Sequence, residues 1–366
     1  MNMISPDNGV SKRSAQKLIL NEKELQVKDV CKLSLCDCET KEEDLKQIPE
    51  RFNTLKRVTI DDLIELGTYY HCRHRTHFKT LDLAKIAHIH EALKELNEME
   101  GIVDVKQKIV DISLYLIKNK DIKGKNYNLA IYGPPGVGKT TICKHVAKIY
   151  SKLGVLETEN IVIVKRSDLV GKYLGETAIK TQDVINKCKG GILFIDEVYS
   201  LGHPEGRDSY SKECLDTLTA NLGQSDTNFI CMVAGYEEDV EKCFFSHNKG
   251  LKRRFPFTFT IDDYENHVMA NVVHKKLEEG RWNVEESDKE TITSFIKDHQ
   301  SKFENFMGDV ENFLLKLEIC HNAENVFGGD EKKLTRGLLN RAIKQYYDNG
   351  KKEKQPENDY WKRMYM

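Results

Sequence analysis

The sequence predicts an α/β fold in which a five-stranded parallel sheet is covered by helices. A small all-helical lid domain follows it, and a mainly helical appendage precedes it. Three observations carry this prediction. From about Leu81 to residue 262, short runs of branched and aromatic residues alternate with helix-length amphipathic stretches. A glycine-rich turn separates the first such run from the helix after it. Beyond Tyr264 the strand pattern stops and only helical spacing continues.

Composition admits such a chain. A length of 366 residues suggests two or three domains. Hydrophobic residues at 39% and charged residues at 31% exclude a fibrous, collagenous or wholly disordered protein. With 56 basic and 58 acidic side chains there is no overall electrostatic footprint for nucleic acid or an anionic membrane. Residues 1–10 are polar and lack the apolar centre of a signal peptide, and the longest apolar runs are too short to span a bilayer. The expectation is a soluble, intracellular, cytoplasmic protein without a membrane partner. Ten cysteines scattered along such a chain read as reduced thiols.

Pattern divides the chain into an appendage at 1–85 that serves client recognition, an α/β domain at 86–263, a helical lid at 264–350 and a flexible tail at 351–366. In the appendage, Thr59 caps a helix over 60–66, Asp62 holds the capping-box position and Gly67 supplies the stop. An amphipathic helix bearing Leu83, Ile86, Ile89, Leu93 and Leu96 then leads into Gly101-Ile102-Val103. Strands are expected at 129–132, 161–164, 192–195, 229–234 and 257–261, buried on both faces where central. The lid helices show apolar spacing at Val268, Val272 and Leu277, and at Ile292, Phe295 and Ile296 behind a Ser287/Glu290 capping box. The same spacing recurs at Phe313, Leu314, Leu317 and Ile319, and at Leu338, Leu339, Ile343 and Tyr346.

The chemistry concentrates at two places. Gly133-Pro134-Pro135-Gly136-Val137-Gly138-Lys139-Thr140, followed by Thr141, satisfies the full phosphate-loop pattern between a strand and a helix. Its glycines let successive backbone N–H groups face a β-phosphate, and the helix N-terminus adds positive dipole. Lys139 reaches the β and γ oxygens and the Thr140 hydroxyl ligates magnesium. ATP and Mg2+ are therefore the expected ligands. At the end of the strand 192–195, Asp196 and Glu197 place two carboxylates where an α/β sheet binds its ligand. Asp196 suits the magnesium shell, and Glu197 suits orienting or deprotonating the water that attacks the γ-phosphate.

These motifs and the helical C-terminal region together resemble an AAA+ ATPase. Finer matches resemble the branch of the red-type rubisco activases (CbbX/CfxQ-like) and the stage V sporulation protein K-like ATPases. Leu169-Val170-Gly171-Lys172-Tyr173-Leu174-Gly175-Glu176-Thr177 looks like that branch's pore-loop segment. The stretch from Arg207-Asp208 to Leu218 looks like its helix after the acidic pair, and Ala234-Gly235-Tyr236 like its fourth-strand end. The resemblance covers about residues 98–325. It implies a Mg-dependent ATP hydrolase whose subunits close into a ring, usually a homo-hexamer, with Tyr173 facing the channel and gripping a protein substrate. The alternative for Tyr173 is a partly buried loop aromatic.

Gly250-Leu251-Lys252-Arg253-Arg254-Phe255 resembles the family's arginine-finger segment, with Arg254 the first choice and Arg253 the second. The family usually has Pro and Ser where this chain has Lys249 and Arg253. Ile102 and Val103 match the segment that lines the adenine pocket. The polar residue that many relatives carry at the end of strand four is replaced by Gly235-Tyr236, so water alignment falls to another group such as Asn228. Glu311 occupies the slot of the second-sensor arginine, so an arginine is missing there; Arg336 or Arg341 could substitute from the last helix, but no cis arginine on the γ-phosphate is expected.

Two clusters lie outside the resemblance. Cys31, Cys36, Cys38, His71, Cys72, His74 and His77 are ligands of the kind zinc prefers, yet their spacings fit no standard finger and they read as scattered surface residues. Tyr69, Tyr70, Arg73 and Arg75 suit single-stranded nucleic acid but lack a longer basic groove. The leading function is a ring-forming ATPase that remodels or threads a polypeptide. Its rivals are a nucleic-acid-dependent motor or loader, which Lys172 beside Tyr173 favours, and a nucleotide-switched binding scaffold. The resemblance reaches the motor and not its cargo.

Overall fold

The computed structural model describes residues 33–173, 175–202, 208–222, 228–285, 288–326 and 332–350. Cys31, Leu174, Arg207, Ser287 and the tail from 351 lie outside the described residues. The chain divides into two compact units, one of residues 1–94 with 110–122 and one of 95–109 with 123–366.

In the first unit the helix Ile60–Gly67 forms as its capping residues dictate. The Thr59 hydroxyl accepts from the Asp62 N–H at 3.2 Å, and the Asp62 carboxylate accepts from the Thr59 N–H at 2.9 Å. Arg51 donates to Asp62 at 2.6 Å and also to Glu65. Burial pushes the Asp62 carboxyl up, but these hydrogen bonds hold it below its ordinary value. Leu83, Ile86, Ile89 and Leu93, on one stripe of the helix Leu83–Asn97, are fully buried. The sequence reading missed a short antiparallel hairpin, β1 (His77–Phe78) with β2 (Leu81–Asp82), and a bridge between His71 and Arg75. Two-residue strands are too short to leave a period-two signature.

The second unit holds the expected sheet. Its strands β3 (Leu129–Tyr132), β4 (Ile161–Val164), β5 (Ile192–Ile195), β6 (Ile230–Gly235) and β7 (Phe257–Thr260) are all parallel and run in the order β4-β5-β6-β3-β7. That order explains their burial. Every residue of β3, β5 and β6 is buried, as for strands covered on both faces, whereas the outermost β4 and β7 are only partly buried and Ile163 is 48% exposed. Tyr132 pairs with Gly235 and Thr260, and Val164 with Ile195, so the C-terminal ends of the strands align. Gly133, Asp196 and Glu197 therefore follow from the same sheet edge.

After β7 come the helices Asn266–Glu279, Asp288–Asp298, Met307–Glu324 and Arg336–Gly350, packed as successive pairs. Two expectations need correction. A two-residue parallel pair, β8 (Trp282–Asn283) with β9 (Lys332–Lys333), interrupts the all-helical region. The buried stripe of Asn266–Glu279 is Met269, Ala270, Val273 and Leu277, one residue on from Val268 and Val272, and Ile319 is 44% exposed. Among the described residues no helix is long and apolar enough to cross a membrane.

Candidate active site

The phosphate loop leaves buried β3 and turns into the helix Lys139–Lys152. Gly136 has φ 79°, and a Cβ there would stand 2.0 Å from the Asn305 carbonyl oxygen, so backbone conformation and space both require glycine. Gly138 caps the helix in the left-handed region, with φ 86°. The Lys139 Nζ donates to the carbonyls of Gly133 (2.9 Å) and Pro134 (2.7 Å). Burial lowers the Lys139 pKa, while the charges of Asp196 and Glu197 oppose that shift.

Beyond β5, the Asp196 N–H donates to the Val164 carbonyl at 3.2 Å, and the Asp196 carboxylate accepts the Glu197 N–H at 3.0 Å. Glu197 is exposed and held at φ 50°, ψ 45°. Five described non-glycine residues have positive φ, and three of them, Ile102, Glu197 and Phe306, belong to segments bordering the loop or the acidic pair. Such backbone strain gathers at functional sites.

A turn of the helical region completes the surroundings. The Met307 N–H donates to the Gly136 carbonyl at 3.3 Å, and the Tyr264 hydroxyl donates to the Val137 carbonyl at 2.9 Å. Buried Asp309 fixes this turn by accepting from the Asn305 N–H at 2.7 Å and the Tyr346 hydroxyl at 2.8 Å. Beside Pro134, a cavity of about 740 Å³ is walled by Tyr264, Met269, Ile296, Phe303 and Phe306. Sequence reasoning missed Tyr264, Asn305, Asp309 and Tyr346; only the placement of Gly308-Asp309 at a helix start pointed there.

The remaining candidates fall as follows. Met99 Cε would lie 3.2 Å from a Cβ on Gly138, and Tyr264 and Val268 would meet one on Gly101, so the segment leading to Ile102 and Val103 runs beside the loop. Ile102 is half-buried and Val103 is 74% exposed. Arg253 is exposed. Arg254 is half-buried, donates Nη1 to the Gly250 carbonyl at 2.8 Å, and has a buried Nε with no partner among the described residues. Its backbone carbonyl accepts from Asn126 (2.7 Å) and Asn128 (2.9 Å), pinning the segment next to the sheet. Tyr173 is 70% exposed on a loop cinched by Glu176, whose carboxylate accepts the Lys172 and Tyr173 N–H groups at 3.2 Å each.

Two assignments are corrected, that of Asn228 and that of the N-terminal thiols. Asn228 precedes β6, at the opposite end from Gly235, and its amide donates to Glu157 at 2.6 Å, so it is not placed to align a water at the acidic pair. Arg336 faces Asp298 at 3.9 Å and Arg341 pairs with Glu324, so neither is held for a phosphate. The thiols and imidazoles near the start of the described chain are not scattered: Cys36, Cys38 and Cys72 bring their sulfurs within 4.8 Å of one another.

Comparison with known proteins agrees with this geometry. The family model described as "ATPase family associated with various cellular activities (AAA)" matches residues 129–257, from β3 to the start of β7. A putative cfxQ-like protein of Acanthamoeba polyphaga mimivirus is 34% identical over 348 residues, spanning 94% of this chain and 86% of that protein. Stage V sporulation protein K of Bacillus subtilis is 30% identical over 220 residues, spanning 58% of this chain and 68% of its own length. Among solved structures, the FIGL-1 AAA domain in complex with ADP matches with a TM-score of 0.50 at 18% identity, covering 68% of this chain and 82% of that one.

Proposed function

Because this chain belongs to the AAA ATPases of the CfxQ-like and stage V sporulation protein K-like branch, we propose that it is a ring-forming, Mg-dependent ATPase that remodels a protein substrate through a central pore. The observation that carries this reading is the convergence of the Gly133–Thr140 cradle, Lys139, Asp196 and Glu197 on one sheet edge.

In this reading the loop amides and Lys139 bind the triphosphate, exchanging the carbonyls of Gly133 and Pro134 for phosphate oxygens. Gly133, Pro134, Pro135, Gly136, Val137, Gly138, Thr140 and Thr141 form the cradle, and the segment at Ile102 and Val103 borders the base. The donor set fits magnesium: the Thr140 hydroxyl and Asp196 carboxylate would hold the ion, which neutralises charge on the β and γ oxygens. Glu197 orients the attacking water and takes its proton. Its exposure leaves it open to solvent, and its strained backbone fixes it beside Asp196.

The charge that develops on the γ-phosphate is met from a neighbouring protomer. Arg254 remains the first choice and Arg253 the second. A buried, unpartnered Nε costs on the order of 1–3 kcal/mol in the lone protomer, and engaging an anion across an interface relieves that cost. Tyr173 contacts the substrate by apolar contact that needs no particular partner side chain. We also propose that the domains run 86–263 and 264–350, with residues 1–85 choosing the client.

The test is Glu197→Gln. The variant is expected to bind ATP as tightly as wild type while turnover falls by roughly 10²–10⁴-fold. Undiminished turnover would remove Glu197 from the mechanism.

A further inference from the structure

We propose that Cys36, Cys38 and Cys72 form a zinc site that staples the loop at 33–40 to the turn at 71–75. The three sulfurs lie within 4.8 Å of one another, with Cys72 Sγ 3.4 Å from Cys38 Sγ, which is itself 4.0 Å from Cys36 Sγ. A zinc thiolate tetrahedron with bonds of about 2.3 Å has sulfur-to-sulfur edges of roughly 3.8 Å. A disulfide needs about 2.05 Å, so the spacing is that of shared coordination.

The Cys72 N–H donates to Cys36 Sγ at 3.3 Å, a contact that favours the thiolate a metal requires. The neighbouring imidazole of His71 is already used. Its Nδ1 accepts the N–H groups of Arg73 (3.3 Å) and His74 (3.2 Å), which leaves Nε2 to donate to the Asp37 carbonyl at 3.0 Å. His71 therefore locks the two segments together while the sulfurs face one another. Three thiolates leave one of zinc's four positions to water or a further side chain.

Between 33 and 58 the described chain contains only a three-residue turn of 3-10 helix and the four-residue helix Arg51–Thr54, with Phe52 the sole buried hydrophobic residue. A segment with so little core is the kind that a metal organises. The three cysteines are half-buried and within reach of an ion. By contrast, burial pushes the thiols of Cys143 and Cys188 up to about 12 and Cys214 to about 11. Binding exchanges thiol protons for the metal and transfers no electrons.

The test uses the full chain, purified under reducing conditions without chelator. Zinc is counted by plasma mass spectrometry, and metal-free protein is titrated with Co2+ to read thiolate-to-cobalt charge-transfer absorption. About one zinc per chain is expected for a single site. That zinc and the cobalt band should both be lost in Cys36→Ser, Cys38→Ser and Cys72→Ser and kept in Cys243→Ser, a half-buried cysteine of the other unit. ATP binding by the same variants checks that the phosphate-loop unit is folded. Wild-type protein that holds under about a tenth of an equivalent of zinc and shows no cobalt band would overturn the proposal. So would a triple variant that keeps its metal, or a disulfide mapped among these cysteines in fresh reduced protein.

Discussion

At the scale of single residues, Gly136 is the position where sequence, backbone and neighbour agree most tightly. Its left-handed φ and the Asn305 carbonyl leave no room for a side chain. Gly136→Ala is expected to weaken ATP binding at least tenfold, since the backbone term alone costs about 1–2 kcal/mol. Equilibrium titration with a fluorescent ATP analogue measures this, and unchanged affinity would detach Gly136 from the site. Lys139, Asp196 and Glu197 were legible because their motifs constrain residue type and spacing together. The arginine pair was legible only to within one position. Two adjacent guanidiniums read alike in sequence; in the structure Arg253 is exposed and the Nε of Arg254 is buried with no partner among the described residues. Arg254→Ala should cut turnover by about 10³-fold or more with nucleotide affinity retained, and steady-state kinetics with a separate binding measurement distinguishes the two.

At the scale of elements, the loop bearing Tyr173 and the helix Ser209–Asn221 carry distinct expectations. Tyr173→Ala should leave basal ATPase within about twofold of wild type, because the side chain is exposed and outside the phosphate-loop and acidic-pair motifs, but should abolish stimulation by an unfolded protein substrate. Loss of basal activity would make Tyr173 structural. Asp208 caps Ser209–Asn221, accepting the Tyr210 and Ser211 N–H groups at 3.1 and 3.2 Å and pairing with Arg166. Burial pushes its carboxyl up, but the bonds from Ser211 and Arg166 outweigh that and hold it at about 2. A depressed folded value means the stabilisation is fully present above the ordinary 3.8 and is lost as pH falls through about 2. The stability gap between wild type and Asp208→Asn, measured by urea unfolding, should therefore be constant from pH 7 to about 5 and shrink as pH falls below 4. A gap that widens on acidification would contradict the assignment. The capping box at Thr59 was readable because two residues at fixed spacing, Thr59 and Asp62, encode it, and the five sheet strands because branched runs bounded by glycine and charge leave few alternatives. The hairpin at residues 77–82 and the β8–β9 pair are held by contacts far apart in sequence or too short to show periodicity.

At the scale of the whole molecule, the sequence located the catalytic edge of the sheet but not the turn that closes over it. Asn305, Asp309 and Tyr346 reach the phosphate loop only through the packing of separate helices, and no local pattern records that. The gathering of Cys36, Cys38 and Cys72 was hidden in the same way, since 34 residues separate two of the sulfurs that meet. The central claim is that each hydrolytic centre is completed by a neighbouring subunit. Two inactive proteins test it most directly: Glu197→Gln, which keeps its arginines, and the double variant Arg253→Ala with Arg254→Ala, which keeps its acidic pair. Mixed in equal amounts, they should recover about a quarter of wild-type ATPase, the fraction of interfaces that pair an intact acidic site with an intact arginine in a head-to-tail ring. A mixture as inactive as its components, under conditions where the subunits exchange, would contradict the account.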